Sequence, residues 1–176
     1  MRKFLIMTFA LGVLLTARLT AQQPPQIKPG PEHAMLKESE GMWDTTAKSM
    51  GKESKGTLSC KMLLNGLWML EQYSGDLDGT KFEGRGATSY DAGKKKYVNV
   101  WIDSMVTSPM VSEGTYDKEK KTLTLLGNMP MPDGKSMKAT MTIFYKDSNT
   151  KIFTLKGASD GKEFEMVEIT YKRRTK

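Results

Sequence analysis

The sequence predicts an all-β protein: an up-and-down antiparallel β-barrel of about ten strands, with a short N-terminal helix ahead of it. Three observations carry that prediction. Turn signals recur roughly every 8 to 14 residues after the first fifty. The segments between them alternate apolar and polar residues with a period of two. None of the intervening segments can serve as a crossover helix, so consecutive strands must pair antiparallel. An open sheet of that many strands would leave two edges, and closure into a barrel removes them.

The first element is a leader. Arg2 and Lys3 precede an apolar run from Phe4 to Leu15, broken only by Thr8 and Gly12, and a more polar stretch ends in Leu19-Thr20-Ala21. This is the layout of a secretory signal peptide over residues 1–21, cleaved after Ala21. A membrane span needs about 20 apolar residues, so the run is too short to hold the chain in a bilayer. It holds no cysteine, which excludes a lipid anchor on a cleavage-site cysteine. The expectation is a secreted or periplasmic protein, with residues 32–176 as one barrel domain.

Loss of Arg2, Lys3 and Arg18 with the leader lowers the formal charge of +7 to +4. Of the remaining basic runs, Lys94-Lys95-Lys96 and Lys118 to Lys121 fall at predicted turns, where solvated charge is ordinary, and the third is Lys172 to Lys176. No basic stripe is interleaved with aromatics, so no nucleic-acid partner is expected. Cys60 is the single cysteine. An intrachain disulfide is therefore impossible, and its apolar neighbours Leu58, Met62 and Leu64 suggest a buried, inert thiol.

Residues 22–31 form a flexible Pro-rich lead-in. Pro31 suits the first position of a helix over Glu32 to Glu40, with Glu32 complementing the dipole and Gly41 ending it. Nine breaks follow: the Gly51 to Gly56 stretch, Asn65-Gly66, Asp78-Gly79, Asp91-Ala92-Gly93, Ser108-Pro109, Asp117-Lys118-Glu119, Asp133-Gly134, Asp147-Ser148-Asn149 and Asp160-Gly161. Asn65-Gly66 reads as a two-residue type I′ hairpin loop. The strands are placed at 42–50, 57–64, 67–74, 80–90, 96–104, 109–116, 121–127, 136–146, 151–158 and 163–173. Leu58, Cys60, Met62 and Leu64 share one face of their strand; Leu123 and Leu125 share one face of theirs.

Gly41-Met42-Trp43 opens the first strand, and Arg173 and Arg174 end the last. This resembles the lipocalin signature, in which a tryptophan of the first strand meets an arginine from the last. A guanidinium over an indole contributes about 0.5 to 2 kcal/mol. More of the chain is similar to one family. Pro31-Glu32-His33, Leu36 and Gly41-Met42-Trp43 resemble the opening of the domain of unknown function 1579 family, a lipocalin-like (calycin-type) barrel family. So do Gly84-Arg85-Gly86 with Tyr90-Asp91, Lys96-Tyr97 with Trp101-Ile102-Asp103-Ser104, and Glu113-Gly114-Thr115-Tyr116-Asp117. The resemblance implies a lipocalin-like domain without an assigned activity, so no catalytic residue carries over.

No catalytic or metal-binding constellation stands out, and no cofactor is expected. His33, the sole histidine, reads as a structural residue tying the helix to the barrel rather than a haem or metal ligand. Met129-Pro130-Met131, with Met137 and Met141, offers thioethers that suit Cu(I), but methionine also fills adaptable apolar space, and the latter reading is preferred. Glu71, Asp103 and Glu168 lie within or at the ends of strands, where carboxylates facing inward would suit an exported hydrolase. The leading reading is a binding module for a small apolar or amphipathic ligand. Its site is drawn from Tyr97, Asn99, Trp101 and Asp103 on one strand face, Glu71 and Tyr73 on another, and Arg85 between Gly84 and Gly86, with Arg85 or Glu71 as the polar anchor. If those faces turn outward, Val98, Val100 and Ile102 fill a dry core and the chain is a structural or interaction protein. The pattern leaves the oligomeric state and the ligand's identity open.

Overall fold

A computed structural model describes residues 27–77, 79–159 and 161–175. The leader and residues 22–26 of the Pro-rich lead-in lie outside the described residues. Helix α1 (Glu32–Glu38) is followed by ten strands: β1 (Gly41–Ser49), β2 (Lys52–Leu63), β3 (Trp68–Leu77), β4 (Thr80–Asp91) and β5 (Lys96–Asp103), then β6 (Met110–Asp117), β7 (Thr122–Pro130), β8 (Ser136–Asp147), β9 (Thr150–Ser159) and β10 (Lys162–Arg173). Each strand pairs antiparallel with its neighbour in sequence, and β1 pairs with β10 to close the barrel. The register at the seam sets Trp43 opposite Arg173 and Thr45 opposite Tyr171.

Several predicted boundaries move. The Gly51 to Gly56 stretch is not a break: β2 starts at Lys52, and the β1–β2 turn is confined to Met50 and Gly51. Lys55 and Gly56 pair with Thr46 and Thr45, so backbone pairing overrides the local turn composition. Asn65-Gly66 lies within a four-residue connection, Leu64 to Leu67, rather than a two-residue loop. Leu64, Asn65 and Gly66 all take positive φ there, which puts the Leu64 side chain in solvent instead of on the face it was assigned to share with Cys60. The helix ends at Glu38, two residues before the predicted Glu40.

Period-two alternation sends Trp43, Leu58, Met69, Leu123, Leu125, Met141 and Tyr171 inward, where they form the core. In β5 it is Tyr97 and Asn99 that are buried, while Val100 and Ile102 are exposed. The dry-core alternative for that strand is therefore excluded.

One end of the barrel is closed by α1. Met35 and Leu36 pack into the core cluster, and the Tyr97 hydroxyl donates to the Glu32 carbonyl at 2.9 Å. His33 is buried, accepts from the Gly30 amide at 3.1 Å, and meets the edge of Tyr90 at 6.4 Å. It therefore meets the barrel through the Tyr90 ring, while its hydrogen bond runs to the lead-in and not to a strand. At the seam the Trp43 indole donates to the Ser39 carbonyl at 2.9 Å, and the Arg173 guanidinium lies 4.1 Å from its ring centroid. Arg173 also donates to the carbonyls of Glu38, Glu40 and Ser148 at 2.6, 2.5 and 2.8 Å, binding the helix, the α1–β1 link and the β8–β9 turn together. Arg174 instead pairs with exposed Asp44. Of the two terminal arginines, Arg173 is the one that plays the signature role.

Candidate functional site

Above α1 the barrel encloses a cavity of about 400 Å³. Its mouth lies at the opposite end, among Ser49, Asp76, Phe82, Met105, Met131 and Pro132. A cavity of this size sits within the range of about 300–1,000 Å³ usual for small-molecule sites.

The register assembles the wall. Cys60 pairs with Glu71, Glu71 with Gly86, Gly86 with Trp101 and Trp101 with Met110, so five inward residues form one row across β2 to β6. Gly84 and Gly86 are required by Trp101. A Cβ on Gly84 would lie 2.0 Å from the indole Cζ2, and one on Gly86 would lie 3.1 Å from its Cε3. The space those glycines leave is filled by the tryptophan, which lies flat against the bare backbone of β4. Its Nε1 donates to Asp103 at 3.0 Å, and the same carboxylate accepts the Met105 amide at 2.8 Å. Asn99 donates to the Thr88 hydroxyl at 2.9 Å.

Of the seven residues singled out from sequence, Glu71, Tyr73, Asn99, Trp101 and Asp103 line the cavity. Two do not. Tyr97 faces inward but is consumed by its contacts with α1 and Tyr90 at the closed end. Arg85 is exposed on the outer face, donating to the carbonyls of Tyr73 and Gly84, because its inward-facing neighbours in the alternation are the two glycines. Arg85 therefore cannot anchor a ligand inside. Glu168 points away from the interior between Val167 and Ile169, which line the cavity. A hydrolytic arrangement using Glu168 with Glu71 and Asp103 is thereby lost.

Sequence reasoning missed Lys151. It is only 2% exposed, yet its side chain reaches the cavity floor. Its Nζ lies 3.8 Å from the Cys60 Sγ, 4.8 Å from the Trp43 ring centroid and 5.1 Å from that of Tyr171. Cys60 in turn stands 3.9 Å from Glu71 Oε1. Both aromatic faces attract the cation. Lys151 follows a turn in sequence, which is why it passed for a solvated lysine. Its alternation with inward Phe153 and Leu155 was the available signal.

The floor is electrostatically unusual. Burial raises the Glu71 carboxyl above the usual carboxylate range, opposed by the charge of Lys151. Burial pushes the Cys60 thiol up to about 12, against the pull of Lys151, so it stays a neutral thiol. The Tyr171 phenol is raised well above its ordinary value, also chiefly by burial. Most of the remaining lining is apolar and methionine-rich: Met69, Met105, Met110, Met129, Met131, Met141 and Met166 surround the space. These thioethers are dispersed around the wall, and among the described residues no group of three or more His, Cys, Asp or Glu side chains is placed to hold a metal.

Comparison with protein families places residues 28–173 in the family described as Protein of unknown function (DUF1579), and the chain belongs to that family. No curated protein matches the sequence. Among solved structures, the chain is similar to an S-type phycobiliprotein lyase from Guillardia theta, with 10% identity, a TM-score of 0.56, and coverage of 82% of this chain and 93% of that one. It is also similar to a redesigned β-barrel, mFAP1, bound to DFHBI, at 16% identity, TM-score 0.43, and 79% and 98% coverage. The first of these likenesses shows the barrel fold.

Proposed function

We propose that this member of the DUF1579 family is a binding protein that holds a small apolar or amphipathic ligand inside its barrel. The observation that carries the reading is the cavity itself: about 400 Å³, open at one end, apolar along its walls, with an ammonium and a carboxylate on its floor. Apolar walls supply affinity by removing ligand surface from water, at about 25 cal/mol per Å². The few polar groups orient the ligand. Seven methionines give the wall a flexible, polarisable surface able to adapt to more than one ligand shape. With Arg85 outside, the anchor falls to Glu71 and Lys151.

Native mass spectrometry of protein purified from its own host tests this. A co-purifying small molecule, and binding of a fluorescent fatty-acid probe by the delipidated protein, are the expected results. Protein that carries nothing and leaves the probe unbound would overturn the reading.

Export belongs to the same proposal. The leader over residues 1–21 supports a secreted or periplasmic location, and N-terminal sequencing of the host protein should then begin at Gln22. A mature chain that retains residues 1–21 would remove that part.

A further inference from the structure

Lys151 has a contact set that is incomplete for an ammonium. An ammonium carries three donors, and the neighbours of Lys151 Nζ are a thiol sulfur and two aromatic faces. No carboxylate stands within ion-pair distance of it among the described residues; the nearest acidic group in the site, Glu71, is reached through Cys60. A buried cation with only weak acceptors around it, facing an apolar chamber, is built to receive an oxygen from what enters the chamber.

Resting on the pocket reading above, we infer that the cavity takes an amphipath with a single carboxylate head, that Lys151 receives the head, and that Glu71 gains a proton as it binds. With Glu71 ionised, the empty site sets one carboxylate against one ammonium. A ligand carboxylate makes two anions against one cation in a low-dielectric floor. Two carboxylates sharing one site cannot both stay ionised cheaply, so one takes a proton from solvent. Glu71 is the one predisposed to it, because burial already favours its neutral form. Once protonated, its hydroxyl can donate to the incoming carboxylate.

The titratable groups facing Glu71 support that assignment. They are Cys60 on β2, Tyr73 on β3, Tyr145 on β8, Lys151 on β9 and Tyr171 on β10. Cys60, Tyr145 and Tyr171 are all raised by burial and remain neutral around pH 7, so none of them competes for the charge balance. Asp76 and Asp103 lie toward the mouth, away from this floor.

Calorimetric titration of the delipidated protein with decanoate and with decanol, in two buffers of different ionisation enthalpy, tests the inference. Decanoate binding should take up as much as one proton per site near neutral pH, read from the dependence of the observed heat on the buffer, and decanol binding none. K151M should weaken decanoate by about tenfold or more while leaving decanol binding intact, which also shows that the variant is folded. E71Q should bind decanoate with no proton uptake. Equal decanoate affinity in wild type and K151M, or uptake that persists in E71Q, overturns the inference while the pocket reading stands. If neither ligand binds, the pocket reading falls and this inference with it.

Discussion

Replacement of Arg173 by lysine isolates the clamp that closes the barrel. Arg173 spreads one planar guanidinium over three carbonyls, on Glu38, Glu40 and Ser148, and over the face of Trp43. A lysine keeps the positive charge but its single nitrogen cannot span carbonyls from three segments. Two of the three hydrogen bonds are then lost. Bonds from a charged donor contribute about 1.5–3 kcal/mol each, and the water-exposed position at the rim reduces that to about 1 kcal/mol each. The expected loss is about 2 kcal/mol for R173K. R173A also forfeits the contact with the indole, about 0.5–1 kcal/mol more. Guanidinium unfolding followed by tryptophan fluorescence reads this directly. With a slope of roughly 4 kcal/mol/M, the midpoint of R173K should fall by about 0.5 M with the slope unchanged. R174A is the internal control, since Arg174 holds only an exposed partner on the outside and its loss should leave the midpoint where it was. An R173K midpoint equal to wild type, or a larger shift from R174A, would refute the assignment of the clamp.

Further outcomes follow from the interior. G84A forces the Trp101 indole off the backbone of β4, so it should cost about 1–3 kcal/mol and change the near-ultraviolet circular dichroism. G93A, in the β4–β5 turn where a Cβ meets only the Asp91 carboxylate at 3.3 Å, should leave that spectrum alone; identical spectra for the two variants would sink the packing argument. At high pH the barrel should weaken. The Cys60 thiol is raised from 9.0 to about 12 in the folded state, so its contribution is complete below pH 9 and is lost as the pH climbs toward 12. By pH 10.5 the loss is about 2 kcal/mol relative to pH 8, and urea melts of C60A should lack that part of the slope. Tyr97, also raised to about 12, adds a loss of the same sign above pH 10 in both proteins. A C60A slope as steep as wild type would place the alkaline sensitivity elsewhere.

Much of the architecture could be read along the chain because it rests on local chemistry. Turn residues at regular spacing and period-two alternation between them need no tertiary information, and they locate ten strands and their antiparallel order. Gly41-Met42-Trp43 and the terminal arginines foretell the seam, since closure must join first strand to last. The pattern also says which side chains share a face: Tyr97 with Asn99, Trp101 and Asp103, against Val98, Val100 and Ile102. It cannot say which face is inside, because both faces of β5 carry enough apolar surface to be buried.

The tertiary structure made that choice, and for a physical reason. A barrel that keeps an open chamber does not need its most apolar face inward; it needs side chains that can reach across the space and find partners there. Trp101 does so over two glycines, with Asp103 accepting its indole proton. Arg85 and Lys151 show the same limit from opposite sides. The arginine looked like an anchor and is turned out by the alternation of its strand, while the lysine looked like a solvated turn residue and is turned in. The sequence alone determined a closed antiparallel barrel preceded by a short helix. Only the packing of ten strands against one another decided which charges lie inside it, because the cost of burying a charge depends on neighbours that are distant along the chain.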